Sequence, residues 1–130
     1  MDSHTNDNAF CPKFHRAVEL IGRRWTGAII RAMRSGRTRF SDIGAAIPGL
    51  SDRLLSERLK ELEAEGIVVR TVVPETPVRI DYHLTDKGND LQAVIDEIAN
   101  WAYRWPSFET PESVAAEAHD CVPLEAAAAR

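Results

Sequence analysis

The stretch Leu50-Ser51-Asp52-Arg53-Leu54-Leu55-Ser56-Glu57-Arg58-Leu59-Lys60-Glu61-Leu62-Glu63 decides how the rest of the chain is read. Leu55, Leu59 and Leu62 recur at i, i+4 and i+7, one apolar stripe at helical period. Arg53, Ser56, Glu57 and Lys60 fall on the opposite face. Ser51 suits the N-cap, where a hydroxyl oxygen accepts a hydrogen bond from a free N–H of the first turn. Leu50 is placed to pack on Leu55 as a hydrophobic staple. Gly66, just after Glu65, can take the left-handed conformation that ends a helix. Alone, such a helix has two readings: a recognition helix for a DNA major groove, or a surface helix with a solvated charged face. Its neighbours discriminate between them.

Upstream, Pro48-Gly49 is a strong turn signal. Before it, Asp42 to Ala46 reads as a short helix with Ile43 and Ile47 facing inward, and Arg37 to Phe40 as a short strand-like bridge. A short helix, a tight turn and a longer amphipathic helix form helix-turn-helix grammar. Downstream, Ile67 to Val73 is rich in β-branched residues. After the loop Pro74 to Pro77, Val78 to Leu84 alternates apolar and polar residues. Two strands joined by a short loop directly after a helix-turn-helix make a wing.

The flanks are helical. Cys11-Pro12 opens a first helix carrying Phe14, Val18 and Ile21 at i, i+4 and i+7, with proline where its missing N–H costs little. Gly22 ends it. A second helix runs from about Trp25 to Met33, with Trp25, Ala28, Ile29, Ala32 and Met33 inward, and Ser35-Gly36 ends that. Thr85 caps a long last helix on which Leu91, Val94, Ile98, Trp101 and Trp105 make a heptad-like seam suited to pairing with another helix. The expected fold is mainly α with a two-stranded β-hairpin wing. It is a winged helix-turn-helix that dimerises through its N- and C-terminal helices. Residues 1–10 are expected to be a disordered arm and 11–105 the domain. Residues 106–130 are expected to be a mostly flexible acidic tail, with a marginal helix from Ser113 to His119.

The chain's 130 residues suit one domain, and 44% hydrophobic against 28% charged residues is a globular balance. No apolar run approaches membrane-spanning length and the polar start is no signal peptide, so the expected location is cytoplasmic. The net charge of -4 speaks against DNA until its distribution is read. Residues 13–87 hold 14 Lys+Arg against 10 Asp+Glu, whereas residues 88–130 hold 2 against 8. A mildly basic centre between acidic ends suits phosphate contacts.

Several motifs stand in a characteristic order: Cys11-Pro12, Ile21-Gly22-Arg23-Arg24-Trp25, Arg39-Phe40-Ser41-Asp42-Ile43, Ile47-Pro48-Gly49-Leu50-Ser51, Leu55 to Glu63 with Gly66-Ile67-Val68, and Tyr82-His83-Leu84-Thr85-Asp86-Lys87-Gly88. Over about residues 11 to 105 the chain resembles HxlR-type winged helix-turn-helix transcriptional regulators. The motifs are jointly specific, although Leu-Thr-x-x-Gly alone occurs in several winged-helix families. The resemblance implies a homodimer, built from the first and last helices, on a two-fold symmetric operator in double-stranded DNA. It also implies, for some members, sensing of electrophiles or oxidants through a cysteine at the Cys-Pro position.

The expected DNA-contacting residues are Ser51, Arg53, Ser56 and Lys60 on the recognition helix, Arg79 at the wing and Arg39 ahead of the helix-turn-helix. Arg53 is the expected base reader, because its fork addresses guanine bidentately. Lys60 suits a phosphate, and Ser51 offers its hydroxyl and the helix start. Glu57 is expected to hold Arg53 in an i, i+4 pair. Arg23 and Arg24 are assigned to the domain's own surface. Phe14, Val18, Leu91, Val94, Ile98, Trp101 and Trp105 form the expected dimer seam. Cys11 is the candidate redox sensor, placed where a helix start favours negative charge, with Cys121 a candidate disulfide partner. Two cysteines this far apart fit no zinc motif, and the four histidines are scattered, so neither metal nor cofactor is expected. His15 and His83 have no partner at catalytic spacing and there is no Gly-rich phosphate loop, so the chain does not read as an enzyme. Two alternatives remain at this point. One is a winged-helix protein-interaction module without DNA affinity. The other is a regulator controlled by a small apolar ligand at the dimer seam, in a pocket of Trp25, Trp101 and Trp105.

Overall fold

A computed structural model describes residues 9–105. The expected tail, Cys121 and most of the N-terminal arm lie outside the described residues. The elements are α1 (Pro12–Ile21), α2 (Thr26–Arg34), α3 (Phe40–Ala45), α4 (Asp52–Ala64), β1 (Val68–Val73), β2 (Arg79–Leu84) and α5 (Asp86–Arg104). The strands pair antiparallel in the register Val68↔Leu84 to Val73↔Arg79. This is the expected winged helix-turn-helix order. Arg39 makes an isolated bridge to Asp81 and the Tyr82 N–H donates to the Thr38 carbonyl at 2.8 Å, so the strand-like segment before α3 lies along β2.

The core gathers one stripe from each element. Ile29, Ile30 and Met33 of α2 meet Ile43, Ile47, the leucines Leu55, Leu59 and Leu62 of α4, Ile67, Val68, and Ile95 of α5. Two expectations about α2 need correction. The helix starts at Thr26, because Trp25 is its N-cap in the left-handed region (φ 80°). Ala28 is exposed and Ile30 is fully buried in its place. Ile30 has far more apolar surface to bury than Ala28, and it shares the inward arc with Thr26, Ile29 and Met33. Trp25 itself is half-buried against the core rather than inside it.

The joint between α4 and α5 explains why the Leu-Thr-x-x-Gly signature needs those residue types. Gly66 (φ 77°) ends α4, with the Ile67 N–H donating to the Leu62 carbonyl at 2.9 Å and the Gly66 N–H to the Glu63 carbonyl at 3.0 Å. This is the Schellman arrangement, and it turns Ile67 inward. Thr85 then does two things: its hydroxyl accepts from the Gly88 N–H at 3.2 Å, capping α5, and donates to the Gly66 carbonyl. Lys87 Nζ donates to the Glu65 carbonyl at 2.7 Å. A Cβ on Gly88 would lie 2.3 Å from the Ile67 carbonyl oxygen. Only glycine lets the start of α5 approach the end of α4 this closely.

A second tie was not foreseen. Arg58, on α4, is only 8% exposed. Its Nε donates to the Arg24 carbonyl at 2.9 Å, and its Nη1 lies 3.4 Å from Glu61 Oε2. A buried guanidinium needs such partners, since an unpaired buried charge is costly. Arg58 thereby fastens α4 to the turn before α2.

Two stability predictions follow from these joints. Gly88→Ala lowers the unfolding free energy by about 1–3 kcal/mol in denaturant titration, although alanine is the better helix former. An unchanged midpoint shows that the joint yields without cost. Arg58→Ala, by removing a charge-assisted hydrogen bond, lowers it by about 1.5–3 kcal/mol. A loss within experimental error contradicts the role given to Arg58.

Candidate nucleic-acid interface

The outward face of α4 follows from its inward one. With the leucine stripe buried, 3.6 residues per turn point Arg53 and Lys60 directly away from the core. Ser51 caps the helix as expected, its Oγ accepting from the Leu54 N–H at 3.1 Å. The Arg53 side chain is 87% exposed, with Nε 3.4 Å from Glu57 Oε2. Glu57 thus stands where the i, i+4 expectation put it, steering the arginine without burying it. Ser56 is half-buried at one edge of the face, and Lys60 is exposed with no ion pair among the described residues.

The two cations expected outside α4 differ. Arg39 is the N-cap of α3, its side chain exposed and without an ion pair among the described residues. Arg79 is held by its own hairpin: Nη1 lies 3.3 Å from Glu75 Oε2, and Nε 3.2 Å from Asp81 Oδ1. The second pair is close enough for charge attraction but off-axis for a hydrogen bond. To reach DNA, Arg79 must leave both carboxylates. The sequence shows Glu75 and Asp81 beside Arg79, but only the hairpin register brings both onto it.

The dimerisation set divides in the same way. Phe14 (68% exposed), Val18, Val94, Ile98, Trp101 and Trp105 are all exposed apolar residues. Leu91 instead packs against the domain's own core, and Ile95 is buried in it. No residue of α1 is buried, despite its regular apolar stripe. Along α5 an open groove of about 550 Å³ is lined by Ala93, Val94, Glu97, Ile98 and Trp101. Trp25 does not line it. Its ring lies against the turn at Gly49, where an added Cβ would sit 3.5 Å from the ring.

Cys11 is the N-cap of α1. Its Sγ accepts from the Phe14 N–H at 3.4 Å, and the residue is half-buried. His15 Nε2 lies 3.5 Å from Glu19 Oε2, and its ring stacks obliquely on Phe10, with centroids 5.3 Å apart. Among the described residues no helix is long and apolar enough to cross a membrane.

Comparison with known proteins agrees with this geometry. Residues 20–110 match the model of the HxlR-like helix-turn-helix family. The chain is 53% identical over 105 residues to the HTH-type transcriptional regulator YvaP of Bacillus subtilis, covering 79% of this chain and 97% of that one. The reduced form of the transcriptional regulator YodB, also from B. subtilis, superposes with a TM-score of 0.69 at 46% identity, covering 78% of this chain and 99% of that one. YodB has also been solved diamide-treated and quinone-bound. The redox regulator HypR in its oxidised form superposes with a TM-score of 0.68 at 31% identity, covering 75% of this chain and 99% of that one. The chain therefore belongs to the HxlR-like helix-turn-helix family of DNA-binding transcriptional regulators.

Proposed function

We propose that the protein acts in the cytoplasm as a homodimer on a two-fold symmetric operator, with α4 of each copy in a major groove. The observation that carries this is the division of α4: leucines closed into the core, with Arg53 in the first turn and Lys60 in the third presented outward. Arg53 reads a base edge, Lys60 and Arg39 meet phosphates, and Ser51 and Ser56 offer hydroxyls at the near edge of the groove. Arg79 shapes the wing through its two carboxylates and makes at most a secondary contact. The apolar residues left exposed on α1 and α5 support pairing with a second copy, since scattered single hydrophobics are ordinary but a two-helix stripe is not.

DNA binding responds to oxidants or electrophiles through Cys11. The support is the position of the thiol at the start of the least buried helix, together with relatives solved in diamide-treated, quinone-bound and oxidised forms. An electrophile such as a quinone adds to the sulfur as a thioether. Diamide instead takes two electrons from two thiols, and Cys121 or a second copy's cysteine supplies the other.

Two measurements test this reading. In gel shifts with a duplex selected from genomic DNA, Arg53→Ala costs roughly 1–3 kcal/mol of specific binding and relaxes selection at one base pair per half-site. A folded dimer that shifts no DNA at low salt points instead to a protein-interaction module. For the thiol, diamide and benzoquinone change the operator affinity of the wild type and leave Cys11→Ser unaffected. A Cys11→Ser response equal to that of the wild type removes Cys11 from the mechanism.

A further inference from the structure

The arginines of this domain fall into two groups. Arg16, Arg23, Arg34, Arg53, Arg58 and Arg79 each lie within ion-pair distance of a carboxylate. Arg24 does not, nor among the described residues do Arg31, Arg37, Arg39, Arg70 and Arg104, but Arg24 alone is the immediate neighbour of Arg23, which meets Glu61 at 3.1 Å. Arg24 is exposed, and its guanidinium carbon lies 4.9 Å from the centroid of the Trp25 ring.

That placement is fixed beside the recognition helix at two points. The Trp25 ring abuts Gly49, in the turn that leads into α4. The Arg24 carbonyl accepts from Arg58 Nε, in the second turn of α4. Around α4, Leu54, Arg58 and Glu61 form one flank between the buried leucines and the Arg53–Lys60 face. Arg23 and Arg24 lie along that flank. When the outward face of α4 enters a major groove, groups along its flank stand over the sugar-phosphate strand that walls the groove.

We propose that Arg24 is a DNA-backbone anchor that grips a phosphodiester of the strand beside α4, a role distinct from base reading. This rests on the DNA-binding reading above. Stacking on Trp25 restricts the guanidinium before binding, so less side-chain entropy is lost, and it leaves the N–H edge open for a phosphate. The αL backbone at Trp25, held by Arg58, sets the direction of the stack. Its twin Arg23, neutralised on Glu61, does not share the task.

The test is the salt dependence of binding, measured on the full chain with the genomically selected duplex and with a random-sequence duplex of equal length. A phosphate contact contributes about 0.9 to the slope of log affinity against log salt, so losing one per copy lowers the slope of a dimer by about 2. Arg24→Ala is expected to show that drop and to weaken binding to both duplexes by a similar factor, roughly tenfold per copy at about 0.1 M salt. Arg24→Lys, which keeps the charge, is expected to keep most of the slope. An Arg24→Ala slope equal to that of the wild type overturns the proposal. So does a weakening confined to the selected duplex, which means base reading, or one that tracks a fall in thermal midpoint with the slope intact, which means a structural role. If the wild type binds neither duplex, the DNA-binding reading itself has failed, and that outcome is distinct from a wild type that binds with a steep slope Arg24 does not affect.

Discussion

The burial of Leu55, Leu59 and Leu62 is the constraint from which the rest of the interface follows. Each buried leucine contributes about 1.5–3 kcal/mol, and the three stand on one side of one helix. Rotating α4 by a single residue would expose part of the stripe and drive Glu57 or Arg53 toward Ile43 and Ile47. The orientation of the reading face is therefore set by hydrophobic burial and only trimmed by polar contacts. Arg53 and Glu57, at 3.4 Å and well exposed, contribute little to stability, as an exposed pair should. Their pairing limits where the guanidinium can go rather than holding the fold together.

Electrostatics then sorts the surface. A net charge of -4 does not prevent DNA binding, because carboxylates that neutralise an arginine inside the domain do not face the groove as free negative charge. Glu65 is committed to Arg16, Glu61 to Arg23 and Arg58, and Glu75 and Asp81 to Arg79. Among the described residues Arg24, Arg39 and Lys60 keep no carboxylate partner near α4, and Asp52 and Glu63 are the carboxylates of α4 left unpaired beside them. Composition counts all charges alike. The structure shows which of them are already spoken for.

Features that depend on neighbours in sequence are legible in the sequence alone: the Ser51 and Thr85 caps, the helix start at Cys11-Pro12, the Gly66 stop, the Pro48-Gly49 turn and the wing. Each is a local hydrogen-bonding or steric requirement with a narrow choice of residues. The misreadings share the opposite character. Arg58 looks like any charged residue of an amphipathic helix until the carbonyl of Arg24 arrives from outside the helix. Nothing local announces a left-handed tryptophan, so Trp25 reads as helical, and the apolar spacing of α2 fits Ala28 as well as Ile30 until the core is seen to take Ile30. Arg23 and Arg24 are adjacent and chemically equal, and only the distant Glu61 separates their roles. The requirement for Gly88 was visible as a motif, but its reason, a carbonyl from Ile67 at 2.3 Å from a hypothetical Cβ, was not.

In the proposed switch, a thiol at the N-cap of α1 must act on the reading helix from a distance. The ion pairs from α1 and the turn after it, Arg16 to Glu65 and Arg23 to Glu61, join them to the C-terminal half of α4. Those pairs are largely exposed, so they are too weak to transmit much free energy by themselves. Yet α1 has no fully buried residue, and of its apolar residues only Leu20 packs against the domain's core. In the proposed dimer its apolar stripe is covered by the second copy, so the position of α1 is governed by subunit pairing more than by its own core. A chemical change at Cys11 removes the cap of that helix, where Sγ accepts the Phe14 N–H, and adds bulk at the edge of the same stripe. In the proposed mechanism the free energy then passes from thiol to dimer geometry, and from dimer geometry to the spacing of two α4 helices on one operator. A regulator can change DNA affinity this way without altering a single base-reading side chain.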